Sequence, residues 1–268
     1  MITFLNLGKH GDIGNQLFQY ATLLSLGKNF NYEVKIPKLN NYFNESYGRI
    51  VYYITEGFKI ESKFLEDEDI KSIKNYYEEP SFGFTAINNL LDDTSIQGYF
   101  QTEKYFVHNR ELILQNLNFK DEMINEAIRK YDIDTVKKSC FLHVRRGDFV
   151  NKSEYHNNLN LNYYKESLNI IKPEYISIFS DDINWCSENF NFLDQNKTNY
   201  ISNSNPFIDL YLMTQSKDCV IANSSFSWWG AWLNQNQNKT VIAPLNWFGP
   251  FNSHLSSQDI YCKDWIVL

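Results

Sequence analysis

Cysteine is scarce in this chain of 268 residues, and none of the four (Cys140, Cys186, Cys219, Cys262) stands in a Cys-x-x-Cys pair. The spacing signal for a zinc site or a dithiol redox motif is therefore missing, and buried thiols in a reducing compartment are expected. Positive charge is also short: 25 Lys and Arg stand against 32 Asp and Glu, a formal net charge of −7. Nucleic acid is excluded as a main partner, because phosphate backbones are held by clustered basic residues. An anionic small ligand stays open, but only through a local group of arginines and helix N-termini. No apolar run approaches the roughly 18 residues of a membrane span. Met1–Leu7 has neither the basic segment nor the length of a secretion signal, so the expected location is cytoplasmic. With 11 glycines and 6 prolines, no low-complexity linker or internal repeat interrupts the chain.

What remains is an ordinary globular composition, 43% hydrophobic and 21% charged, long enough to bury a large core without a metal or disulfide. Aromatic residues reach 16%; core packing accounts for most, and a sugar-handling surface is a second reason for many Tyr and Trp. The pattern along the chain alternates. Ile2–Leu7 reads as a buried strand, Gly8–Gly14 as a turn-rich loop, and Gln16–Lys28 as a helix apolar on most of its circumference, with Gly27 as its stop signal. Tyr32–Ile36 follows as a strand, completing a β-α-β opening. Residues 40–94 are less legible, with Glu61–Asn75 read as a solvated helix. Later strands are expected at Ser95–Phe100, Ser139–Val144, Tyr175–Phe179, Tyr200–Ile201, Cys219–Ala222 and Thr240–Ala243. Helices are expected at Glu103–Leu117, Lys120–Tyr131, Tyr163–Ile171, Ile183–Phe190, Pro206–Ser216 and Ser225–Asn234. Alternating strands and helices imply α/β architecture with parallel sheets covered on both faces. The domain boundary fits best near residue 137, giving a first domain of 1–136, a second of 137–252 and a C-terminal segment of 253–268 that packs back on the first.

Ligands of parallel α/β sheets bind beyond the carboxyl ends of the strands. Polar clusters stand at those ends in the second half. His143 and Arg145-Arg146-Gly147-Asp148 follow one strand, Ser180-Asp181-Asp182 the next, and Asn223-Ser224-Ser225 a third. Paired arginines offer forked donors to phosphate, and a helix opening at Ser225 offers free N–H groups and the positive dipole end. Asp181 and Asp182 suit ribose hydroxyls or the donor edge of guanine. Each cluster has a plainer account: His143 as a satisfied core histidine, Asp148 as an ion-pair partner, Asp182 and the serines as helix caps. Two arginines directly after a buried strand argue most for a ligand, because desolvated Arg without an anionic partner is costly. Trp228, Trp229 and Trp232 have helical spacing and read as core. Arg146-Gly147-Asp148 spells an adhesion tripeptide, a chance match in this setting. No Walker A lysine and no Gly-x-Gly-x-x-Gly spacing is present.

His143-Val144-Arg145-Arg146-Gly147-Asp148 resembles the His-x-Arg-Arg-x-Asp motif of the α1,2-, α1,6- and protein O-fucosyltransferases. Gly14-Asn15-Gln16-Leu17-Phe18-Gln19-Tyr20-Ala21, Gly98-Tyr99-Phe100-Gln101-Thr102-Glu103-Lys104-Tyr105-Phe106 and Asn223 through Leu233 resemble glycosyltransferase family 11, the α1,2-fucosyltransferases, more narrowly. The matches run in order to about residue 250; residues 40–94 carry none. The resemblance implies a GT-B-like fold of two Rossmann-like domains, the first holding the acceptor and the second GDP-fucose. It implies an inverting transfer of L-fucose from GDP-β-L-fucose to the 2-OH of a terminal β-galactoside, with no metal or other cofactor, in bacterial surface-polysaccharide or oligosaccharide synthesis. The rivals are a related enzyme with another GDP-sugar or linkage, and a non-catalytic carbohydrate-binding protein. A lipid-linked acceptor would add transient contact with the inner membrane face.

The expected donor site is then Gly14, Asn15, Gln16, His143, Arg145, Arg146, Asp148, Ser180, Asp181, Asp182, Asn223, Ser224, Ser225 and Phe226. Arg145 and Arg146 would stabilise the leaving group, Gln16 reach the donor sugar and Asn15 cap the first helix. His10 and Asp12 are the titratable acceptors of the first loop and stand as acceptor-binding residues. Family members more usually carry Gly-Gly-Leu-Gly or Gly-Arg-Leu-Gly before Asn-Gln. Asp12 is therefore either a specialised base or a loop-stabilising Asx turn.

Overall fold

In the computed structural model, residues 1–9, 11–38, 41–44, 49–203 and 205–268 are described. They form two compact units, Met1–Lys120 with Gln258–Cys262, and Asp121–Ser257 with Lys263–Leu268.

The first unit opens with β1 (Ile2–Thr3), α1 (Ile13–Phe30) and β2 (Val34–Ile36), followed by the antiparallel pair β3 (Tyr42–Asn44) and β4 (Arg49–Val51). Then come α2 (Ile54–Gly57), β5 (Lys63–Phe64), α3 (Asp67–Ser72), β6 (Asn75–Glu78), β7 (Thr94–Gln97) and α4 (Arg110–Asn116). Its parallel sheet has the order β5-β2-β1-β7-β6. α1 is buried on nearly every side from Ile13 to Gly27, as its apolar circumference requires. The helix does not stop at Gly27. It runs on to Phe30 and closes with Asn31 in the left-handed region (φ 57°). Gly27 instead lets β2 approach: a Cβ there would lie 2.3 Å from Val34 Cγ2. The expected helix over Glu61–Asn75 is a strand, a six-residue helix and the start of β6. The capping box between Glu66 and Asp69 fixes where α3 begins.

The second unit contains α5 (Asp121–Lys130), α6 (Ile133–Val136), β8 (Ser139–Val144), α7 (Gly147–Val150), α8 (Leu161–Ile171), β9 (Tyr175–Ser180) and α9 (Ile183–Asn189). It continues through β10 (Thr198–Ile201), α10 (Pro206–Gln215), β11 (Asp218–Val220), α11 (Ser225–Leu233), β12 (Val241–Ala243) and β13 (Ile266–Val267). Six parallel strands pair in the order β10-β9-β8-β11-β12-β13. All six residues of β8 are buried, as expected for a central parallel strand covered on both faces. Trp228 and Trp229 are fully buried and Trp232 nearly so, and these three are core; the Trp265 ring lies tilted against Trp228 with centroids 5.5 Å apart. Cys140, Cys186 and Cys219 are buried thiols.

The division falls after Lys120 rather than near residue 137. α5 belongs with the second unit because its apolar face, Met123 and Ala127, packs on α10. The segment 253–268 is shared. Asp259 accepts from the Phe84 backbone at 2.8 Å and pairs with Lys104, fixing Gln258–Cys262 in the first unit. Ile266–Val267 extends the second sheet beside β12.

Candidate active site

The strand order of the second sheet reverses between β8 and β11, the kind of switch point beyond whose carboxyl ends open α/β sheets take their ligands. α8 anchors this rim. Tyr163 donates its hydroxyl to Ile221 O at 2.7 Å and Ile242 O at 3.2 Å, and Tyr164 donates to His143 O at 3.1 Å. One helix thus bonds backbone carbonyls near the ends of β8, β11 and β12.

Beyond β8, Arg145 donates from one terminal nitrogen to Asp181 and from the other to Asp148. Its guanidinium also lies 5.1 Å from the Phe149 ring centroid. Arg146 donates from Nε to Asp182 at 3.0 Å, and its backbone N–H donates to Asp181 Oδ1 at 2.9 Å. Its guanidinium sits 3.8 Å over Trp185, a close cation–π contact. The arginine pair therefore has anionic partners inside the protein. Three carboxylates compensate two partly buried guanidinium groups, and the case for a ligand rests on the donors left over. Nε of Arg146 faces Asp182, while its two terminal nitrogens have no carboxylate partner among the described residues. The aspartates hold the arginines in place, which revises their expected role toward ribose or guanine. Asp182 also caps α9 by accepting from Trp185 N at 3.2 Å. Gly147 is needed beside them, because a Cβ there would lie 2.4 Å from Asp181 Oδ2.

Several expected donor contacts are used within the fold. Ser180 is buried; its hydroxyl donates to Val144 O at 2.8 Å and accepts from Asp182 N at 3.0 Å, joining the ends of β8 and β9. Asn223 donates both amide hydrogens to backbone, Asn157 O and Trp247 O, each at 2.9 Å. It ties the loops beyond α7 and β12 together instead of presenting its amide. Ser224 caps α11, accepting from Phe226 N at 3.4 Å, and Ser225 is the first helical residue. His143 is 6% exposed, and burial, followed by the charge of Arg145, pushes its pKa down to about 3. It is a neutral imidazole 5.9 Å from the Phe226 ring, and its Nδ1 has no hydrogen-bond partner among the described residues. It is buried like a core side chain, but with its Nδ1 unpaired among the described residues it is not the satisfied core histidine of the plainer account.

The first unit places its share differently. Asp12, not Asn15, is the N-cap residue of α1, and its side chain makes no capping bond. Gly14 and Asn15 lie in the first turn of α1; Asn15 Oδ1 accepts from Gln101 Nε2 at 2.7 Å. Gln16 is fully buried. Its amide donates to Tyr52 O at 2.9 Å and accepts from Ile54 N at 3.1 Å, so it pins the chain entering α2 and does not reach a donor sugar. His10 lies outside the described residues.

The sequence reading missed Phe149 and Trp185, the aromatic supports of the two arginines. Trp185 stands three residues after a cap in α9, and nothing in the local sequence distinguishes it from a core residue. Among the described residues no group of three or more His, Cys, Asp and Glu side chains is gathered as a metal site, and no helix is long and apolar enough to cross a membrane.

With this geometry in hand, known proteins supply the context. The chain is 28% identical to an alpha-1,2-colitosyltransferase of Escherichia coli, over 96% of each chain. It is also 28% identical to the O-antigen biosynthesis glycosyltransferase WbnK of Escherichia coli, over 96% of this chain and 98% of that one. The crystal structure of POFUT1 in complex with GDP-fucose superposes with a TM-score of 0.54 at 12% identity, covering 90% of this chain and 96% of that one, a likeness of GT-B fold. The sequence model of Glycosyl transferase family 11 matches residues 4–268, nearly the whole chain, and the protein is a member of that family and a glycosyltransferase.

Proposed function

We propose that the protein is an inverting, metal-independent α1,2-fucosyltransferase that moves L-fucose from GDP-β-L-fucose to the 2-OH of a terminal β-galactoside, on the cytoplasmic side, in surface-polysaccharide or oligosaccharide synthesis. The observation that carries this is that Arg145 and Arg146 follow β8 and α11 opens after the neighbouring strand β11, the two strands that flank the switch point of the second sheet. The acceptor oxygen attacks fucose C1 as the C1–phosphate oxygen bond breaks. GDP leaves with the bonding electron pair, and the hydroxyl proton passes to a base. Negative charge then grows on the diphosphate. The free terminal donors of Arg146, the pinned guanidinium of Arg145 and the Ser225 N–H at the positive end of α11 suit that charge, already oriented before it develops. Ser224, as the cap, fixes the first turn of α11 by accepting from Phe226 N. Asp12, the one carboxylate of the loop 8–14, is the proposed base.

The similarity to an alpha-1,2-colitosyltransferase favours the competing reading in which the donor is a GDP-sugar other than GDP-fucose. The test is GDP release from GDP-fucose, with and without lactose, in EDTA. Lactose-dependent release that survives EDTA supports the proposal. Release only from a different GDP-sugar moves the assignment to that donor, and release that EDTA abolishes removes metal independence.

A further inference from the structure

Phe149, the aromatic support of Arg145, is itself supported. The Phe149 side chain is buried in α7, with its ring centroid 5.1 Å from the Arg145 guanidinium. The His156 imidazole lies flat on the same ring, centroids 3.9 Å apart and planes within 5°. Residues 151–155 between the two rings are exposed, and the chain turns inward again at His156. Backbone bonds build the return: Lys152 N donates to Phe149 O at 3.1 Å, and His156 N donates to Lys152 O at 3.0 Å. Asn158 Nδ2 also donates to Phe149 O, at 3.2 Å.

A second segment locks the returning loop. His156 and Phe248 form an antiparallel bridge, and Gly249 N donates to Tyr155 O at 2.9 Å. Phe251 N donates to Glu154 O at 2.8 Å. Gly249 permits this approach, because a Cβ there would lie 2.6 Å from Glu154 O and 2.7 Å from His156 N. The same segment receives Asn223 at Trp247 O, two residues before α11 begins. His156 therefore joins the segment 244–252 to the Arg145 side of the rim, as Asn223 joins it to the α11 side.

We infer that His156 is a positioning residue for Arg145, acting through the Phe149 ring on which it stacks. The inference deepens the glycosyl-transfer reading and rests on it for its effect on turnover. Hydrogen bonds to Asp148 and Asp181 direct the edge of the guanidinium. They restrain it less out of its plane, where the Phe149 face does so. A ring held from one side can rock; a second ring stacked on it removes that freedom, and a preset donor needs its own support to be locked. Burial holds the imidazole below its ordinary pKa, against the pull of Asp148 and with Lys152 and Arg145 adding to the effect. The facing segment 244–252 carries no charged side chain. Near neutrality the ring is thus uncharged and leaves Asp148 to Arg145.

Side-chain ¹⁵N NMR of the Arg145 guanidinium, identified by the signals lost in R145K, tests the support without any ligand. H156A is compared with the native chain and with H156F, which keeps a flat ring, and H156L replaces H156A should that variant fold poorly. In H156A the Arg145 signals should broaden and shift, and kcat for transfer from GDP-fucose should fall about tenfold with the acceptor KM unchanged. H156F should restore both. Arg145 signals unchanged in H156A and H156L, or equally perturbed in H156F, overturn the inference. Signals perturbed in H156A and restored in H156F, in a protein that releases no GDP from GDP-fucose, uphold the support of Arg145 and remove the fucosyl-transfer reading instead.

Discussion

Beyond β8 and β11 the chain gathers two arginines and three aspartates; at the ends of β1 and β7 it holds two amide pairs, Asn6 with Gln97 and Asn15 with Gln101. Both groups stand where a parallel sheet reverses its strand order, so the same backbone logic presents a charged rim in one unit and a neutral one in the other. The difference lies in the side chains and in what holds them. In the charged rim, carboxylates and aromatic faces hold the arginines. In the neutral rim, the loop backbone itself is held, by Glu79 at Tyr99 N and Phe100 N and by Gln19 at Gly98 O. A sheet edge thus fixes where a ligand goes, and the loop residues fix what it is.

The comparison breaks most sharply at Arg145. Arg145→Ala removes a preorganised donor and leaves Asp148 and Asp181 as uncompensated neighbours, so kcat should fall about 10²- to 10³-fold, with Arg146→Ala less severe. Acceptor binding should persist in both, and an equal loss of acceptor binding and of kcat would dissolve the distinction. Next comes Gly147→Ala. Its new methyl group displaces Asp181, so the Arg145 guanidinium loses one anchor, and kcat should drop on the order of tenfold to a hundredfold while GDP-fucose hydrolysis and transfer fall together.

Acidity separates the two units by sign. His143 titrates near 3 in the folded chain and near its ordinary 6.5 when unfolded. Its contribution to stability is present above 6.5 and is lost as pH falls from there toward 3. Glu79 behaves oppositely. Burial raises its pKa, so its contribution is present below the ordinary carboxylate range and is lost as pH rises through the raised value. Thermal melting across pH should show H143Q flattening the acid side, and E79Q flattening the change as pH rises out of the carboxylate range. An unchanged profile in H143Q would mean that the imidazole is not held neutral. The smallest effect belongs to Lys104, which pairs with Asp259 while half-exposed; Lys104→Ala should shift stability by under about 1 kcal/mol in denaturant unfolding.

The second unit was the more legible because its strands are long enough to leave a pattern. Ser139–Val144 and Tyr175–Ser180 are six residues each, whereas β1 is two residues and the run Ile2–Leu7 turns away after Thr3. β5 falls wholly inside the expected helix Glu61–Asn75, and β6, which alternates half-buried and exposed residues at a sheet edge, overlaps it only at Asn75. The pair β3 and β4 and the edge strand β13 were not anticipated, because short strands carry little periodicity.

The sequence by itself determined the alternating α/β architecture and the family, because these rest on hydrophobic period and on motifs contiguous in the chain. It also placed the polar clusters at strand ends, since strand and loop are neighbours in sequence. Partnership was decided only by the tertiary structure. Asp181 meets Arg145 across 36 positions and Gln101 meets Asn15 across 86. Gln16 and Asn223, which looked like ligands' partners, were drawn into backbone contacts with Tyr52 and Trp247. A local sequence fixes what a side chain can bond to, but which partner it meets depends on strand order, and strand order is set by the packing of the whole sheet.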